Sequence, residues 1–83
     1  MRTKITVTKE DIEKGQRRSN LYCPIALACS RHFPFMISVC SDTIYVDERD
    51  RVKLPARARK FILAFDNCFD DRVKPFSFFI EAP

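Results

Sequence analysis

Residues 4–8 alternate around Ile5 and Val7, and this period of two predicts a short strand with one inward face. Thr8 follows as a helix N-cap, with Asp11 where the acid of a capping box belongs. Val7 and Ile12 take the staple positions on either side of the cap. Glu10, Asp11 and Glu13 suit the positive end of a helix and Lys14 its negative end. Gly15 is placed to stop this short helix in the left-handed conformation. Residues 16–22 are polar and basic and read as a loop. Pro24 fits the first turn of a second helix, where its missing N–H costs nothing. Ile25, Ala28, Cys29 and His32 share one face of that helix, Leu27 lies on the other, and Pro34 ends it.

The pattern changes at Met36. Residues 36–40 and 43–46 are β-rich runs, with Ser41-Asp42 as a tight turn between them. Residues 49–53 form a charged edge or turn, and Val52 with Leu54 carries the sheet onward. Pro55 opens a third helix reaching about Asn67, whose apolar stripe is Ala58, Phe61, Ile62 and Phe65. After an acidic turn over residues 66–71, residues 73–82 contain a last strand. Phe76, Phe78 and Ile80 point to one face of it, and Ser77, Phe79 and Glu81 to the other. The prediction is an α+β fold with a small, mostly antiparallel sheet and about three helices, in the order β-α-α-β-β-α-β.

The length of 83 residues fits one domain, spanning 1–83. A chain this short buries only ~60–65% of its unfolded surface, so its core is thin. Eight phenylalanines and no tryptophan suit such a core, because Phe is bulky and has no polar group to satisfy. Exposed rings are expected in Phe33-Pro34-Phe35 and in Phe76-Ser77-Phe78-Phe79. No apolar run approaches the ~20 residues that cross a bilayer. Met1-Arg2-Thr3-Lys4-Ile5 leads straight into the alternating pattern, without the apolar stretch of a signal peptide. A cytoplasmic protein with reduced thiols is therefore expected. Cys23, Cys29, Cys40 and Cys68 then act as small hydrophobes, while Cys23, at a helix start, occupies a place where a thiol pKa can fall.

Charge adds a contact surface to this picture. The net charge is +4, and all of the excess lies in residues 1–41, with seven bases against three acids. Arg17 and Arg18 stand adjacent in the first loop, with no helical partner in sequence to neutralise them. A second cluster comprises Arg49, Arg51, Lys53, Arg57, Arg59 and Lys60, diluted by Asp50. Leu63 falls opposite the buried stripe of the third helix, beside Arg59 and Lys60, as the centre of a partner contact would. Arg17, Arg18, Arg59, Lys60 and Leu63 are therefore the candidate partner-binding residues, and either cluster suits phosphate or an acidic partner.

Chemical motifs are scarce. The chain has no Walker A, GxGxxG, GxSxG or HExxH motif, and its single glycine rules out a Gly-rich phosphate cradle. Cys29 and His32 have a spacing that places two metal ligands side by side, but the CxxC knuckles of structural zinc sites are missing. Asp47-Glu48 and Asp70-Asp71 read as turn and surface residues. No enzyme, metal or cofactor is expected, and no helix-turn-helix, zinc-finger or RRM signature is present.

The run Ile5-Thr6-Val7-Thr8-Lys9-Glu10-Asp11-Ile12-Glu13-Lys14-Gly15, followed by Cys23-Pro24-Ile25-Ala26-Leu27-Ala28, resembles small phage- and prophage-encoded proteins. Leu54-Pro55 through Phe61-Ile62 to Phe65-Asp66, and Pro75-Phe76-Ser77-Phe78, are similar in style, so the resemblance spans most of the chain. It carries over no catalytic residues. It implies a non-catalytic protein that binds and modulates or inhibits a host protein in the host cytoplasm, for example a CRISPR effector. The basic charge disfavours a DNA mimic. The alternative is a nucleic-acid-binding accessory protein that uses the basic loop and helix. Neither the partner nor the oligomeric state is written in the sequence.

The cysteine reading is directly testable. Thiol titration of the unfolded native protein should find four free thiols, and metal analysis no zinc. One tightly held equivalent of zinc would overturn it.

Overall fold

A computed structural model describes residues 2–40, 42–47, 50–68, 71 and 73–81. The elements run β1 (Arg2–Val7), α1 (Lys9–Lys14), α2 (Pro24–His32), β2 (Ile37–Val39), β3 (Thr43–Val46), β4 (Asp50–Lys53), α3 (Ala56–Asp66) and β5 (Phe76–Glu81). The α+β class, the three helices and the antiparallel pairing are those the sequence predicts, and so is the element order, with β4 arising in the charged segment after β3. The strands divide into a two-stranded sheet, β1-β5, and a three-stranded sheet, β2-β3-β4. Of the sequence readings, Ser41 of the turn, Glu48, Arg49, Asp70 and Ala82 lie outside the described residues. Cys40 N–H donates to the Thr43 carbonyl at 2.8 Å at the neck of the β2–β3 hairpin.

Alternation sets the register of the β1–β5 pair. Ile5 faces Phe78, Val7 faces Phe76 and Thr3 faces Ile80. Ile5, Val7, Phe78 and Ile80 are buried, whereas Arg2, Lys4, Thr6, Phe79 and Glu81 turn outward. A one-residue slip would put lysine and arginine into the core, so the apolar pattern fixes this pairing. In the other sheet, Ile37, Val39, Ile44, Val46 and Val52 face the same core. The edge strand β4 carries exposed Asp50, Arg51 and Lys53, charges that discourage further strands from adding there.

The cap of α1 forms as expected. Asp11 N–H donates to Thr8 Oγ1 at 3.2 Å, and Thr8 N–H donates to Asp11 Oδ2 at 2.8 Å. Asp11 is also the buried charge among the described residues, and its partner is Arg31, twenty residues on. The Arg31 Nη1 group pairs with Asp11 Oδ1, and Nη2 donates to Asp11 Oδ2 at 2.7 Å and to the Thr6 carbonyl at 2.9 Å. Burial alone would raise the Asp11 carboxyl. Hydrogen bonds from Arg31 and Thr8, with the guanidinium charge, outweigh that and hold it below its ordinary value.

Gly15 departs from expectation. Its φ of −66° and ψ of 148° are extended, not left-handed. The reason for glycine is space. A Cβ there would lie 2.6 Å from the ring of Pro24 and 2.8 Å from the Asp11 carbonyl oxygen. The left-handed positions belong instead to Arg18, Asp47 and Cys68, each strained by roughly 1 kcal/mol or more for a residue with a Cβ.

In α2, Pro24, Ile25, Ala26, Ala28 and Cys29 are buried, while His32 is exposed at the helix end. The inward face thus stops one turn before the predicted stripe does. In α3 the buried residues are Ala58, Phe61, Ala64 and Phe65, with Ile62 packed at the margin. Phe61 stacks on Phe65 and meets the Phe76 ring at 4.8 Å between centroids, which bridges α3 to β5. No described helix is long and apolar enough to cross a membrane.

Two stability outcomes follow. Phe61→Ala should cost ~3–5 kcal/mol in chemical denaturation. An unchanged melting temperature would show that α3 does not pack through this ring. Arg31→Met should cost about 1–3 kcal/mol at neutral pH, because it strands a buried carboxylate. The Asp11 pKa is lowered in the fold, so its contribution is present above the unfolded value and lost as pH falls through the folded one. The gap between wild type and Arg31→Met should therefore close below about pH 4, as read from denaturation midpoints at neutral and acid pH. A gap that persists in acid would mean the pair is not its source.

Candidate binding groove

The exposed side of α3 and the entry to β5 enclose an open groove of about 870 Å³. Phe61, Leu63, Ala64, Pro75 and Phe76 supply its apolar surface, and Arg57, Lys60 and Lys74 its charge, with Ser77 completing the lining. No acidic residue is among the described lining. Helical spacing explains the α3 wall. Residues 57, 60, 61 and 64 fall at i, i+3, i+4 and i+7, a strip along the margin of the buried face. On the opposite wall, Pro75 breaks helix and loop patterns just before the strand, so Lys74 reaches the groove from the connection rather than from an element. Arg57 Nη1 donates to the Ser77 carbonyl at 3.4 Å and links the two walls. Lys60 and Lys74 make no ion pair with any described residue.

The predicted contact residues divide between two places. Lys60 and Leu63 line the groove, and Leu63 is 63% exposed, the most of any large hydrophobic in the described chain. Arg59 is exposed one turn before Leu63 on the same helix, outside the groove lining. Arg17 and Arg18 lie at the other end of α3. Arg17 Nε donates to the Phe65 carbonyl at 3.1 Å, with its guanidinium 5.3 Å from the Phe65 ring centre. Arg18 N–H donates to the Asp66 carboxylate at 2.9 Å. Sequence reasoning left this loop without a partner; in the fold it closes the C-terminal end of α3, where free carbonyls accept cationic donors. Arg18 also borders a smaller cavity of about 220 Å³, with Cys23, Cys40, Ile62 and Asp66.

Arg57 was anticipated only as a member of the second basic cluster, and Lys74, Phe76 and Ser77 were not among the candidate contact residues. The helical strip was visible in spacing, but a strip mixing Arg, Lys and Phe reads equally as a core margin. Lys74 and Ser77 join it only because β5 lies beside α3. On the outer face of β1–β5 an exposed ring was expected from the final strand, but not the cations that β1 sets beside it. There Lys4 lies opposite Phe79, Arg2 sits 4.2 Å above the Phe79 ring and Thr6 hydrogen-bonds Ser77 at 3.1 Å. Phe79 is 46% exposed.

Neither Cys23 nor Cys29 is an activated nucleophile. Burial pushes the Cys23 thiol up, outweighing the Ala26 N–H that its Sγ accepts at 3.4 Å, so the helix start does not lower it as its position allowed. Burial pushes Cys29 up to about 12. Cys68, expected as a packed hydrophobe, is exposed in a left-handed turn, because the core stripe of α3 ends at Phe65. Among the described residues no three His, Cys, Asp or Glu side chains gather as a metal site. In the native protein a thiol reagent should therefore label Cys68 first and leave Cys23 and Cys29 protected until unfolding, as peptide mapping over time would resolve. Early labelling of Cys29 would contradict its burial. No protein-family model, curated protein or solved structure matches this chain, so what the groove can do follows from its own residues.

Proposed function

We propose that this chain is a non-catalytic, phage-type protein that binds a host protein and modulates or inhibits it, with the exposed side of α3 as its contact surface. The observation that carries this reading is the coincidence of an uncovered leucine and a basic rim at one groove, Leu63 with Arg57, Lys60 and Lys74. An apolar centre ringed by polar groups is the usual anatomy of a protein contact. Among the described residues no histidine, cysteine or carboxylate lines the groove, so it is better suited to holding a partner than to transforming one. Arg59 extends the rim along the helix, and Arg17 and Arg18 add basic charge at its far end.

A second reading rests on a different face. Arg2, Lys4 and Phe79 on the outer β1–β5 surface combine two cations with an exposed ring, the elements with which single-stranded nucleic acid is held. This supports a nucleic-acid-binding accessory protein.

One set of variants separates the two. The tagged chain should retain a host protein from nuclease-treated lysate, and Leu63→Asp, whose side chain is solvent-exposed, should weaken that retention roughly thirtyfold or more, the loss of a central anchor, without lowering the melting temperature. Recovery that disappears with nuclease, falls steeply with salt, and responds to Arg2→Ala and Lys4→Ala but not to Leu63→Asp would replace the first reading with the second.

A further inference from the structure

We infer that the groove between α3 and β5 takes an acidic segment of a partner protein, seating one apolar side chain against the exposed Leu63 and Pro75. This deepens the protein-binding reading and rests on it. The charge of the lining argues for the acidic segment. Arg57 and Lys60 stand on the helix wall, Lys74 stands on the opposite wall, and among the described residues no carboxylate lines either. Opposite charge in a partner lowers the energy of approach and fixes its register along the groove. Because the cations occupy both walls instead of converging on one point, an extended run of carboxylates satisfies them better than a single phosphate does.

The floor argues for a peptide over a nucleic acid. Base recognition in a single strand needs a free ring face. The Phe61 ring is 6% exposed and faces Phe76 at 4.8 Å, while Phe76 lies against Phe78 at 5.6 Å. These rings are committed to one another, and the surface left most open is that of Leu63 and Pro75, which suits an aliphatic or aromatic anchor. A volume of about 870 Å³ is within the range of clefts that bury a compact ligand. Arg57 is partly engaged by the Ser77 carbonyl, so Lys60 and Lys74 carry most of the discrimination.

The test uses the full chain, isotopically labelled, and short synthetic peptides followed by amide chemical shifts. One peptide contains glutamates around a central leucine. A second replaces glutamate by glutamine, a third replaces the leucine by alanine, a fourth replaces glutamate by lysine, and a short oligothymidylate is the nucleic-acid arm. The first peptide should shift amides in residues 57–64 and 74–77. Its affinity should fall about tenfold or more with the glutamine or the alanine peptide, a loss of roughly 1.4 kcal/mol. Lys60→Glu and Lys74→Glu should abolish its binding, and the doubly reversed chain should accept the lysine peptide instead. The inference is overturned by no shift at millimolar peptide, by shifts confined to other surfaces, by equal binding of the glutamine peptide, or by tighter occupation of the groove by oligothymidylate. If those results came while host-protein capture still depended on Leu63, the acidic occupant alone would fail. If host-protein capture were itself lost to nuclease, the broader reading would fail with it.

Discussion

A single buried carboxylate sets the frame of the N-terminal half. Asp11 accepts the Thr8 N–H that caps α1 and both terminal nitrogens of Arg31, and Arg31 reaches on to the Thr6 carbonyl near the end of β1. One ion pair thus joins the end of β1, the start of α1 and the last turn of α2. A buried carboxylate is costly unless its lone pairs are filled, and here three donors, the Thr8 N–H and the two terminal nitrogens of the Arg31 guanidinium, converge on it. The consequence is angular. With the ends of three elements held together, α2 lies across β1 and directs Ile25, Ala28 and Cys29 into the core shared with Ile5 and Val7.

That core is thin, and the rest of the fold economises on regular backbone. Its glycine at position 15 serves a close approach to Pro24, which leaves left-handed turns to Arg18, Asp47 and Cys68. Two of these lie beside the C-terminal end of α3. Arg18 belongs to the loop bonded to Phe65 and Asp66, and Cys68 follows the helix directly. The helix is consequently fixed at its C-terminal end by polar contacts and along its inner face by Phe61 and Phe65. Its outer face, with Arg59, Lys60 and Leu63, is left to solvent. A helix fixed on one side and uncovered on the other is a rigid platform, and rigidity lowers the ordering cost of binding.

The groove follows from that arrangement. Phe76 is drawn toward Phe61 by ring packing, which brings the Lys74-Pro75 connection alongside the helix but not into the core. Apolar surface is left open at the seam because Leu63 points past the aromatic cluster. Bases line both sides because the charged strip of α3 and the charged connection meet there. The same aromatic packing that stabilises the domain therefore shapes the surface on which its proposed function depends.

Local features were legible in the sequence because they are set by neighbours within four residues. Alternation gave β1 and β5 their faces, the Thr8–Asp11 box gave α1 its start, Pro24 and Pro55 marked the helix openings, and the stripe around Phe61 oriented α3 and exposed Leu63. Spacing also pointed to part of the groove lining, Lys60 and Leu63. Tertiary structure decided the rest. It split the strands into two sheets, tied Arg31 to Asp11 across twenty residues, bonded the Arg17 side chain and the Arg18 N–H to the end of α3, and brought Lys74 and Ser77 against Arg57 and Lys60. Those contacts depend on which buried faces meet and on how far side chains reach across them. Period and capping determine which face of each element is apolar, but they leave open which other face it will cover, and that choice is made only when the whole core packs at once.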